Sequence, residues 1–142
     1  MVKFTADALV FQTNKNELHR FFGEIGHLHL IMPAEVEQWK SDKYHCSFYI
    51  KNLGTLSMEK GFVNPESEYE FIATADSRVD FTLVFRFRET IDGKLSGYFE
   101  IQTEVNPLVE MMVKRPLTNF VNMLTENLKS HLSETAEKQS DC

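Results

Sequence analysis

Between residues 106 and 132, Val109, Val113, Leu117, Phe120, Val121, Leu124, Leu128 and Leu132 recur at steps of three and four. Such spacing is one apolar stripe along a 3.6-residue helix. Asn106 supplies an N-cap side chain, and Pro107 suits the first helical position, where no N–H is needed. Lys129 and His131 fall in the last turn, where positive charge is favoured. At 1.5 Å per residue this helix runs roughly 39 Å. A rod of that length, striped on one side only, demands an apolar wall of matching length.

The preceding chain supplies that wall. Residues 79–89 alternate Val79, Phe81, Leu83, Phe85 and Phe87 against Asp80, Thr82, Arg86 and Arg88, with Val84 the one break in the polar face. Asp92–Gly93 signals a hairpin, and residues 97–105 follow with Phe99, Ile101, Thr103 and Val105 on one face. Further alternating stretches cover 2–11, 35–40, 44–51, 55–63 and 68–75, separated by turn residues at 52–54, 64–67 and 76–77. Short connections make neighbouring strands antiparallel. Between the first two stretches, Asn14 caps a short amphipathic helix through Leu18, Phe21, Phe22 and Ile25. Gly23 and Gly26 divide residues 14–32 into two helical pieces, and Pro33 ends them.

Seven strands at ~4.8 Å spacing make a sheet roughly 34 Å wide. A helix with its side chains is only ~10–12 Å across. The expected α+β fold is therefore a curved six- to seven-stranded antiparallel sheet wrapped around one long C-terminal helix, with two short helices after strand 1. A chain of 142 residues is expected to form one domain over 1–134. Residues 135–142 lose the apolar stripe and are expected to fray.

A bent sheet closed by one rod encloses space that either large side chains or a guest must occupy. The inward faces carry Phe48, Phe62, Phe71, Phe81, Phe85, Phe87, Phe99 and Phe120. Burying each is worth about 1.5–3 kcal/mol, so a filled core competes with a pocket. Met58, Met111 and Met112 favour the pocket, because thioethers adapt to variable shapes. Pro116 interrupts the helical hydrogen bonding. Either the helix kinks there or a separate turn precedes it, and a loosened turn carrying Met111 and Met112 is one possible gate.

The helical entry ending in Leu30-Ile31-Met32-Pro33, then Glu37-Gln38-Trp39, Lys51-Asn52-Leu53-Gly54-Thr55-Leu56 and Glu104-Val105-Asn106-Pro107 leading into Pro116-Leu117 span nearly the whole chain. In that order they resemble the helix-grip, SRPBCC or START-like superfamily, which includes lipid-transfer domains, pollen-allergen-like proteins and aromatic polyketide cyclases. The resemblance implies an apolar cavity between sheet and long helix, open near the short helices. It implies no single substrate, since one fold hosts many functions.

Chemistry-bearing motifs are sparse. The six glycines form no phosphate-cradling loop, and no nucleophile-elbow serine is present. His27 and His29 are two apart and point to different sides of a helix, while His45 precedes Cys46. Neither set has the three or four converging ligands of a metal site. Cys46 reads as a small buried hydrophobe. Arg86, Arg88, Glu100, Gln102 and Glu104 read as a solvated outer surface. The inward polar groups open to catalysis are Tyr44, Lys60, Tyr69 and Thr103, with no inward carboxylate.

The formal charge of -6, without a basic run, argues against nucleic acid or an anionic membrane as partner. Two distant cysteines and no signal peptide point to a reducing, cytoplasmic setting. No apolar run is long enough to insert stably in a bilayer. The first reading is a binder of a hydrophobic or amphipathic small molecule (lipid, isoprenoid or aromatic metabolite), without cofactor or metal and of undetermined oligomeric state. Its expected lining is Phe48, Met58, Phe71, Phe81, Leu83, Phe85, Phe99, Ile101, Met112 and Phe120. Two alternatives stay open: a polyketide cyclase or dehydratase using the same cavity, and an interaction module with a filled core. For the last, Tyr49, Val84 and Tyr98 are the outward residues that matter.

Overall fold

In the computed structural model the described residues are 1–140, with side chains described as far as Ser133. Eight antiparallel strands form one open sheet: β1 (Val2–Thr5), β2 (Leu9–Phe11), β3 (Val36–Ser41), β4 (His45–Ile50), β5 (Gly54–Asn64), β6 (Glu68–Ala73), β7 (Thr82–Glu89) and β8 (Leu95–Thr103). Their spatial order is β1-β8-β7-β6-β5-β4-β3, with β2 also on β8. After β2 come helix α1 (Lys15–Phe22) and a 3-10 helix (Ile25–Ile31). The long helix α2 (Pro107–Ser140) closes the chain and lies on the concave face against β8, β1 and β2. The fraying expected over 135–142 concerns residues whose side chains are outside the described set.

Local sequence explains the element ends. The Asn14 side chain accepts the Glu17 N–H at 2.9 Å, and the Asn106 side chain accepts the Val109 N–H at 2.9 Å. Both helices are thus capped as their sequences require. The hairpin turns use Asn52 and Gly54 at φ of 75° and 94°, and Gly93 at 82°. The helix runs through Pro116 without a break between two helices.

The expected first strand, 2–11, is split in two. At the gap, Ala6 N–H still reaches the Phe99 carbonyl, but the Phe99 N–H has no strand beside it. Instead it donates to Thr125 Oγ1 on α2 at 3.0 Å, and that hydroxyl donates to the Val121 carbonyl at 2.8 Å. Asp7 N–H donates to Asn122 Oδ1 at 3.2 Å. The helix therefore completes the sheet where the strand is missing, which leaves fewer buried backbone groups unpaired.

Two bulges redirect aromatic rings. In β5 the register shifts between Lys60 and Val63, so Phe62, expected inward, stands 58% exposed. In β3 it shifts between Glu37 and Lys40, where Gln38 takes φ of 55°. Trp39 then stacks on Phe48 at 5.8 Å, and Phe48 stacks on Phe120 at 5.9 Å. An edge strand is thereby anchored to the helix by a ladder of rings.

Candidate functional site: an apolar cavity under the start of the long helix

The concave side holds two unlike regions. At one, Phe22 of α1 reaches in between Tyr69, stacked at 4.4 Å, and Phe85, stacked at 5.3 Å. Phe85 lies 4.9 Å from Phe99 and 5.7 Å from Phe11, and Tyr69 lies 5.8 Å from Phe87. These rings occupy the space that the curvature of the sheet creates.

At the other region a cavity of about 280 Å³ remains. Leu53, Leu56, Phe81 and Ile101 form its sheet side, while Val105, Val109, Val113 and Leu117 form its helix side. Thr103 also lines it, and Arg78, Asp80 and Glu104 mark its rim. Thr103 Oγ1 is committed to the Asp80 carbonyl at 2.6 Å. The Arg78 stem lies across Gly54, its Cγ only 3.0 Å from where a β-carbon would stand. Any side chain at Gly54 would displace it. Arg78, Asp80 and Glu104 make no ion pair among the described residues.

Of the ten residues expected to line a pocket, Phe81 and Ile101 do so. Phe48, Met58, Phe71, Leu83, Phe85 and Phe99 also face inward, but they are core, each 2% exposed or less. Phe120 borders a separate open groove of about 520 Å³ between α2 and the Ile50–Asn52 turn. Met112 is 71% exposed, and Met111 and Leu108 are as open, so the inward facing expected for Met112 does not hold. Its place on the helical wheel is roughly 130° from the centre of the buried stripe, at 100° per residue. The apolar residues missed were Leu53, Leu56, Val79, Val105, Val109, Val113 and Leu117. Val109, Val113 and Leu117 belong to the stripe itself, which was the available signal.

No residue of α1 or the 3-10 helix lines the cavity. The opening implied near the short helices is instead occupied by Phe22 and its stacked neighbours. Nor do the inward polar groups assemble there. Tyr44 is 61% exposed in a hairpin, and Lys60 Nζ donates to the Gly23 carbonyl. Tyr69 is buried, and its hydroxyl has no hydrogen-bond partner. Burial pushes the Cys46 thiol up to about 12, which suits an inert core residue.

The histidines have separate partners, although His27 and His131 both pack on the Phe21 ring, at 5.9 and 5.5 Å. His27 Nδ1 contacts the Phe21 carbonyl, His29 stacks on Trp39 at 5.1 Å, and His45 lies between Asp42 and Glu59. Among the described residues no group of three or more His, Cys, Asp or Glu side chains is placed to hold a metal ion. On the outer face Glu100 is buried rather than solvated as expected. Burial raises its pKa, but hydrogen bonds from Gln102, Thr5 and Arg86 outweigh that and hold it below its usual range. Val84 beside it is buried too, and Tyr49 and Tyr98 are half-buried. The three residues on which an outer-face interaction reading rested thus form no open apolar patch.

No protein-family model matches the chain, and no curated protein matches it in sequence. Solved structures do resemble it in shape. XoxI from Bacillus cereus superposes with a TM-score of 0.72 at 8% identity, covering 96% of this chain and 99% of that one. KanY gives 0.68 at 11% identity, covering 94% and 99%. DR_A0006 from Deinococcus radiodurans gives 0.62 at 14% identity, covering 94% and 97%. At such identities the likeness is one of fold, a helix-grip-like α+β architecture over nearly the full length. Among the described residues no helix is long and apolar enough to cross a membrane.

Proposed function

We propose that the chain binds a hydrophobic or amphipathic small molecule in the cavity beneath the first turns of α2. The observation that carries this reading is a void of about 280 Å³ walled by Leu56, Phe81, Ile101, Val109, Val113 and Leu117 beside a charged rim. Sites for small molecules combine an apolar body with a few polar groups that fix orientation. Here the apolar part of a guest sits against β5, Phe81 just before β7, β8 and α2, and its polar end stays at Arg78, Asp80 and Glu104. The first turns of α2 bury no residue fully, so they are the part of the lining with least packing to lose on opening.

Nothing in the cavity favours catalysis over binding. The one buried hydroxyl in its wall, Thr103, already donates to a backbone carbonyl, and the rim carboxylates are exposed. A carrier or sensor is the reading that these residues support. Native mass spectrometry of the purified protein, together with an environment-sensitive apolar dye, tests it. The expected result is a retained guest, or dye fluorescence that a cavity-filling change at Val113 abolishes. Bare protein without any dye response would overturn the proposal.

A further inference from the structure

On the sheet side the cavity lining reaches Phe81 and Ile101, and Leu83 lies behind that lining. Leu83 is fully buried and lies in register opposite Ile101 on one side and Phe71 on the other. It is the next inward position beyond Phe81, and Phe85, stacked under Phe22, follows it. Leu83 thus stands between the lined space at Phe81 and the aromatic plug at Phe85.

Volume limits what fits. An apolar protein cavity of about 150 Å³ holds one benzene molecule. A cavity of about 280 Å³ has a little under twice that room. We infer that the guest is a compact ring system of about two fused rings, that long acyl chains and larger polycycles are excluded, and that Leu83 sets this limit. The inference rests on the binding reading above and narrows its ligand class. Apolar burial alone predicts the opposite order, because affinity rises with the area removed from water. A preference for the smaller body is thus the signature of a wall.

The test uses the full chain and three probes: naphthalene methanol, pyrene methanol and hexadecanoate, each titrated by displacement of a bound dye or by calorimetry. Naphthalene methanol is expected to bind roughly tenfold tighter than either of the others, an easily resolved difference. Equal or tighter binding of pyrene methanol or hexadecanoate would overturn the size limit and leave the binding reading intact. Binding of none of the three would overturn both. Leu83→Ala opens space behind the lining, between Phe81 and Phe85, and is expected to raise pyrene methanol affinity relative to naphthalene methanol by roughly fivefold or more. An unchanged ratio in a folded Leu83→Ala protein would show that the limit lies elsewhere. Should that variant fail to fold, Leu83→Val makes the same test with a smaller expected shift in the same direction.

Discussion

From Leu117 to Leu132 each turn of α2 buries at least one side chain, among them Phe120, Val121, Leu124, Thr125 and Leu128. From Pro107 to Pro116 none does, and Leu108, Met111 and Met112 point to solvent. Both stretches face the same sheet, and both carry the same apolar stripe. The difference lies in what fills the space between helix and sheet. Under Leu117–Leu132, rings from α1, β2, β6, β7 and β8 meet; under Pro107–Pro116, Phe81 alone contributes a ring to the cavity lining. Stability and room for a guest have been assigned to different ends of one helix.

Truncating one aromatic residue at each end is the strongest way to break that contrast. Phe99→Ala is expected to cost about 3–5 kcal/mol in urea unfolding, the usual range for emptying a closely packed aromatic site. Phe81→Ala is expected to cost at least about 1 kcal/mol less, because part of its ring already faces a void and loses fewer contacts. Equal losses would mean that the two ends are packed alike.

Thr125 sharpens the same point through a hydrogen bond. Its hydroxyl accepts the Phe99 N–H where the first strand is interrupted. Thr125→Val keeps the shape and leaves a buried N–H without a partner, at an expected cost of about 1–3 kcal/mol. No measurable loss would show that helix and sheet are joined at the packed end by apolar contact alone.

Tyr69 goes the other way. Its ring stacks on Phe22 and Phe87, and its hydroxyl is buried without a hydrogen-bond partner. Tyr69→Phe removes that cost and retains the stacked ring, so the protein is expected to gain roughly 1 kcal/mol. A loss of stability would mean that the hydroxyl contributes a contact that the ring stack does not reveal, and the plug would not be purely apolar.

Much of this arrangement was legible in the chain. Alternation along residues 79–89 places Phe81, Leu83, Phe85 and Phe87 inward, and the step of three and four places Leu117 to Leu132 against them. Periodicity says which face a residue takes. It does not say how far along the face the space is filled, because that depends on Phe22, which arrives from a helix about fifty residues or more away in sequence from the strands it packs on. The bulges that turn Phe62 outward and bring Trp39 onto Phe48 are equally silent, since one extra residue reverses every side chain beyond it. Glu100 was misread for a related reason. A carboxylate in an alternating polar row looks solvated until Thr5, Arg86 and Gln102 are seen to converge on it.

The smallest effect on stability is expected where the effect on binding is largest. Val113 is half-buried on the helix side of the cavity, with open volume between it and Phe81. In a close-packed core an added ring forces strain of about 1–3 kcal/mol. Here Val113→Phe has empty space to enter, so the unfolding free energy is expected to shift by no more than about 0.5 kcal/mol. Dye binding measured on the same samples is expected to vanish, because the new ring takes the volume that a guest would use. A large loss of stability would show that the cavity cannot accept a ring, and the first turns of α2 would then be as tightly fitted as the last.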